Sequence, residues 1–199
     1  FNHYLNTAHG MPSAVHYLHP TAATMDATIR SHVSGGVNFY NYTAHGWEFG
    51  FADPSFTIAN VDALGNSGRY PLVIGNCCLT GSFGSSECFG EAWLNAPNKG
   101  AIGFIGASMS TAWNEDLVMG VGTISAYNNP SPPLSQASPG MIDGVMMGNY
   151  PTQAALKHAG LLAVENYGGS LVNHYWLSYH LFGDPSLAVH FGIPTVQAA

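Results

Sequence analysis

The sequence is 199 residues long and 46% apolar or aromatic, enough to bury one sizeable core and to form one domain or a large piece of one. Charged residues make up only 8%, against roughly 25% in an average domain, so solubility rests on Asn, Ser, Thr, His and exposed backbone. Arg30, Arg69, Lys99 and Lys157 stand against eleven Asp and Glu, too few cations for a phosphate-neutralising patch, which excludes nucleic acid as a partner.

The chain opens at Phe1 with neither an initiator Met nor a signal pattern and reads as a processed or truncated product. The tetrapeptide Thr-Ala-His-Gly occurs at Thr7 to Gly10 and again at Thr43 to Gly46. Helical spacing from Thr21 to Val33 precedes an apolar run, Gly36 to Tyr42, bounded by small residues and read as a buried strand. A helix is then expected over Thr57 to Leu64, a strand over Tyr70 to Asn76, a helix over Gly90 to Asn95 and a strand over Gly100 to Gly106. Strands alternating with helices predict an α/β fold, a mostly parallel sheet flanked by helices on both faces. Asn128 to Pro139, with four prolines, is expected to be a loop. Helices over Pro151 to Asn166 and Ser170 to Leu181 are expected to close the sheet. Asn173, His174 and His180 interrupt the apolar stretch from Leu171 to Phe182, and no stretch approaches the roughly 18 residues of a membrane span.

Ligands of open parallel sheets sit beyond the carboxyl ends of the strands. One expected strand runs there into Thr43-Ala44-His45-Gly46 and another into Cys77-Cys78-Leu79-Thr80-Gly81. A thiol is mostly protonated at neutral pH, and a neighbouring imidazole can take its proton and later hand one to a leaving amine. The main-chain N–H groups of Gly46 and Cys78 could stabilise an oxyanion. A plainer reading stays open: a Cys after an apolar strand is often a small buried hydrophobe, and ten histidines supply some by chance. Cys77, Cys78 and Cys88, an odd count with two adjacent, suit neither a disulfide framework nor a zinc knuckle.

Five blocks in register, Asn41 to Gly46, Ala52 to Ser55, Ile74 to Cys78, Cys88 to Glu91, and Trp113 with Glu115-Asp116, resemble the gingipain family of cysteine endopeptidases, and within it the lysine-specific members. Tyr179-His180 and Gly183 to Ser186 also resemble the end of such a catalytic domain. The resemblance implies a caspase-like sandwich in which residues 1–199 form one catalytic subdomain of a larger processed domain. It implies a secreted or bacterial cell-surface location, with proteins or peptides as substrates. Cys78 takes the nucleophile's slot and Cys77 the small-residue slot before it. His45 takes the general base's place, whereas His9 follows a poorer strand. Asp116 is implied at the bottom of a pocket for a basic residue, with Thr43, Asn76 and Trp113 around it; the reactivity of the thiol is taken to depend on His45 and the local thiolate fraction, not on Asp116. The acidic residue that orients the histidine is expected upstream of Phe1, so a companion N-terminal fragment is implied.

No catalytic cofactor is implied, but a structural calcium is, on the Phe83 carbonyl and Glu91, with most of its six to eight oxygens coming from elsewhere. Capping of a helix start by Glu91, and a solvated acidic pair at Glu115-Asp116, are the plainer readings of those residues. Two other functions keep the same fold: a silent surface-binding module, or a transpeptidase using the same Cys and His. A metal-dependent hydrolase would need a compact ligand cluster that the sequence lacks.

Overall fold

The computed structural model describes residues 15–18, 24–84, 86–127, 139–146 and 151–189. His9, with the first copy of the tetrapeptide, and nearly all of the expected loop from Asn128 lie outside them. The elements in chain order are α1 (Asp26–Gly35), β1 (Phe39–Tyr42), β2 (Gly46–Trp47), β3 (Gly50–Ala52), β4 (Ser55–Thr57), α2 (Ile58–Asp62), β5 (Leu72–Gly75), α3 (Phe89–Asn95), β6 (Gly103–Ala107), α4 (Trp113–Tyr127), α5 (Met141–Met146), α6 (Gln153–Tyr167), α7 (Val172–Ser178) and β7 (Tyr179–Gly183).

The main sheet runs β1-β5-β6-β7. β1 pairs parallel with β5, and β5 parallel with β6, so two of the three ladders are the parallel ones expected from sequence. Side chains of a strand alternate between faces, and here the alternation feeds two cores. Val73 and Phe104 join Ile29, Val33, Val61, Phe89 and Trp93 under α1, α2 and α3. Leu72, Ile74 and Ile105 join Val118, Met119, Met141, Leu156 and Tyr175 under α4 to α7. Two of the helices, α6 and α2, start where short side chains satisfy the first turn: Thr152 Oγ1 accepts from Ala155 N at 3.2 Å, and Asn60 Oδ1 from Thr57 N at 2.8 Å.

The expected helix from Ser170 to Leu181 ends three residues early, at Ser178, and Tyr179–Gly183 forms β7, antiparallel to β6. The cause is a switch of period: Leu181 packs into one core and Phe182, the next residue, into the other. A second sheet, β2-β3-β4, and the helices α4 and α5 were not anticipated; α4 kinks at Gly122, where φ is 72°. The short β2-β3-β4 sheet packs Phe51 and Phe56 into the first core, with the Phe51 ring stacked on Tyr42 at 4.0 Å.

Gly160 lets α6 lie against α4 and α5. A Cβ there would meet Met141 Cγ at 2.7 Å, Met119 Cγ at 2.8 Å and the Met119 carbonyl oxygen at 2.9 Å. Alanine improves helix propensity by about 1 kcal/mol, whereas overpacking costs about 1–3 kcal/mol, and the main-chain contact cannot be relieved by a rotamer change. Gly160→Ala is therefore expected to lower the urea midpoint of unfolding; a raised midpoint would show that the helical layer can give way.

Candidate active site

The β1–β5 ladder aligns Tyr42 with Gly75, so both strands end at one rim, with His45 three residues beyond the first and Cys78 three beyond the second. The main chain at His45 is clamped: its carbonyl accepts from Tyr42 Oη at 2.6 Å and from Ala52 N at 2.9 Å. Gly46 then runs so close to the second strand end that a Cβ would sit 2.5 Å from Cys77 Sγ and 2.8 Å from the Cys78 carbonyl. Only glycine permits that approach. The His45 ring is exposed and lies edge-on to Trp113, with ring centroids 5.1 Å apart.

Beyond Cys78 the chain turns sharply: Leu79 takes φ of 63°, rare for a residue with a side chain, and Thr80 N bonds back to the Cys78 carbonyl at 2.8 Å. Leu79 N reaches the Met109 carbonyl at 3.2 Å, tying this turn to the loop after β6. The three free cysteines differ in setting. Burial pushes the Cys77 thiol far above its usual range and Cys88 up to about 11, which disfavours a thiolate at either. Cys78 is only half-buried, and its sulfur accepts from Thr111 N at 3.3 Å.

Asp116 is 5% exposed, at the first turn of α4. Its Oδ2 accepts from Thr111 Oγ1 at 2.6 Å, and its Oδ1 from the hydroxyls of Tyr175 and Tyr179, each at 2.8 Å. Desolvation raises its pKa above the ordinary carboxylate value, and the three hydroxyls oppose that rise. It is therefore not a solvated acidic residue. Asn76 is buried and holds this carboxylate's own backbone, its Nδ2 donating to the Asp116 carbonyl at 2.7 Å and its Oδ1 accepting from Tyr179 at 2.9 Å. Thr43 is exposed and accepts from Asn41 Nδ2 at 3.3 Å. Thr111 and Tyr175 had no signal in sequence, and Tyr179 had one only as part of the closing Tyr179-His180 block, without a role. The inward side of α4 did have one: Asp116, Met119 and Gly120 recur at helical spacing, which turns Asp116 toward the core.

The side chains of Phe83 and Glu91 each make contacts within the fold. The exposed Phe83 ring packs edge-on to His180 and Phe182. Glu91 Oε2 accepts from Cys88 N at 2.8 Å, the reciprocal cap of α3. Among the described residues no group of three or more His, Cys, Asp or Glu is placed to hold a metal.

A mostly parallel sheet between helical layers, presenting a thiol and a histidine from adjacent strand ends, defines the class: a caspase-like α/β fold. The family model for peptidase family C25 matches residues 2–190, and the chain belongs to that family. It is 36% identical to the Lys-gingipain of Porphyromonas gingivalis over 96% of its own length, spanning 11% of that protein. It is 27% identical to gingipain R2 of the same organism, over 81% of this chain and 21% of that one. Among solved structures, one titled "Structure of Protease" superposes with a TM-score of 0.85 at 34% identity, over 98% of this chain and 44% of that one.

The folded state holds the Asp116 proton more tightly than the unfolded chain does, because its pKa is raised. Its contribution to stability is full below the ordinary carboxylate value and is lost as pH rises through the raised one. Tyr179→Phe removes a hydroxyl that offsets the cost of the buried charge. It is expected to destabilise by about 1–3 kcal/mol at neutral pH, and by less at acid pH, where Asp116 is protonated. Urea unfolding at both pH values checks this; an equal loss at both would separate the effect from the carboxylate.

Proposed function

We propose that this chain contributes the thiol and the histidine of a secreted or cell-surface cysteine endopeptidase that cleaves proteins after a basic residue, lysine. The observation that carries the reading is the pairing of β1 with β5, which brings His45-Gly46 against Cys77-Cys78. In this reading the Cys78 sulfur attacks the scissile carbonyl while His45 accepts the thiol proton and returns it to the leaving amine; water then releases the acyl group, with His45 again as base. The Gly46 and Cys78 N–H groups would face the oxyanion. The matched solved structure is more than twice as long as the part this chain covers, which supports a companion fragment that would supply the group orienting His45 and, if calcium binds, most of its oxygens.

Lysine specificity draws support from the similarity to Lys-gingipain and from Asp116. A carboxylate has about four acceptor sites, of which three hydroxyls use three, leaving one for an ammonium. Exposed Trp113, beside His45, would cover the aliphatic stem, and Thr43 and Asn76 would complete the pocket wall.

Labelling with a peptidyl-lysine acyloxymethyl ketone followed by peptide mapping tests the nucleophile. The label is expected on Cys78; Cys78→Ala and His45→Ala should abolish hydrolysis, while Cys77→Ala keeps much of it. Full activity in Cys78→Ala would end the mechanism. Asp116→Asn is expected to lower kcat/KM for lysyl peptides by roughly one and a half to four decades, the effect of losing a desolvated charge pair. A change under about threefold would remove Asp116 from the pocket.

A further inference from the structure

In sequence the nucleophile and the specificity carboxylate stand as independent features, yet one residue touches both. The loop from Ser108 to Ala112 joins β6 to α4, and its neighbours tether it along its length. Ser108 N bonds to the Ser178 carbonyl at 2.8 Å, His174 Nε2 to the Ser110 carbonyl at 2.7 Å, and Ala112 N to Tyr175 Oη at 2.9 Å. At Thr111 the tether is Asp116, whose Oδ2 takes the Thr111 hydroxyl at 2.6 Å. The same residue wraps the Cys78 sulfur: its N lies 3.3 Å from Sγ, its Oγ1 3.7 Å and its carbonyl 3.9 Å.

We propose that Thr111 is a positioning residue that couples Asp116 to Cys78, its hydroxyl bond to the carboxylate fixing the loop so that its main-chain N–H donates to the sulfur. The inference rests on the reading of Cys78 as nucleophile. An N–H aimed at sulfur favours thiolate over thiol, because the bond strengthens when the acceptor is charged. Asp116 thereby acts on the attacking atom as well as on the substrate's basic group. The carboxylate makes a firm anchor because it is buried, and Tyr175 and Tyr179 fix its other oxygen, so its position does not follow solvent.

Alkylation by iodoacetamide, followed against pH with peptide mapping, reads the coupling without needing turnover. In the wild type the label is expected on Cys78. In Thr111→Val, which keeps the N–H but loses its anchor, the profile should move up by about one pH unit, a roughly tenfold slower reaction at neutral pH. Thr111→Ser should restore the wild-type profile, and Asp116→Asn should shift it in the same direction as Thr111→Val. If Thr111→Val does not fold, the serine and Asp116→Asn profiles decide. Profiles of Thr111→Val and Asp116→Asn that overlay the wild type, with the label on Cys78, would overturn the coupling and leave the nucleophile standing. A serine variant shifted like valine, or a loss uniform across pH, would also overturn it. Wild-type label on Cys77 or Cys88 would remove the nucleophile, and the coupling with it.

Discussion

The parallel register between β1 and β5 is the constraint on which the rest depends. β5 lies between two parallel neighbours and is buried along its whole length, so its side chains must be apolar on both faces and its polar chemistry can begin only where the strand ends. Asn76 is the first residue past that end, and it is also the first polar side chain there. Its backbone N–H extends the ladder to the Tyr42 carbonyl while its side chain reaches Asp116 and Tyr179. The sheet thus ends in a polar residue fully occupied with other elements, and the cysteines follow from a fixed origin.

Which parts were legible in sequence follows from the range of the interactions involved. β5 and β6 could be read because burial on both faces writes an unbroken apolar run, and β1 because its aromatic-rich run is bounded by small residues. The strands β2 to β4 have two or three residues each, too few for a period to register. β7 was lost because its residues continue an apolar helix without a turn-forming residue before Gly183, and its pairing partner lies far back at Gly103–Ala107. Tertiary pairing overrode a local pattern.

The same contrast holds at the candidate site. Cys78 and His45 could be singled out as candidates from local context, a strand end and a run of motif residues. The hydroxyls on Asp116 come from Thr111 on a loop, Tyr175 on α7 and Tyr179 at the start of β7, so no single spacing joins all three, although the two tyrosines stand four residues apart. Glu91 shows how local context can admit two meanings: its place three residues after Cys88 satisfies the reciprocal helix cap whether or not its second oxygen serves another partner.

The scarcity of charge acquires a physical sense around Asp116. Burying a carboxylate costs several kcal/mol unless it is compensated, and the usual compensation is a Lys or Arg partner. Here the partners are three neutral hydroxyls, and two of the four Lys and Arg are occupied elsewhere: Arg69 on the Gly35 and Ser34 carbonyls, Lys99 on that of Asp62. Hydroxyl dipoles offset part of the desolvation cost without cancelling the charge, which is why the pKa still rises. A carboxylate held in this way keeps its negative charge available. In the proposed reading that is what a lysine pocket requires, because an internal salt bridge would have to be broken before substrate could bind, whereas dipoles can stay in place when the ammonium arrives.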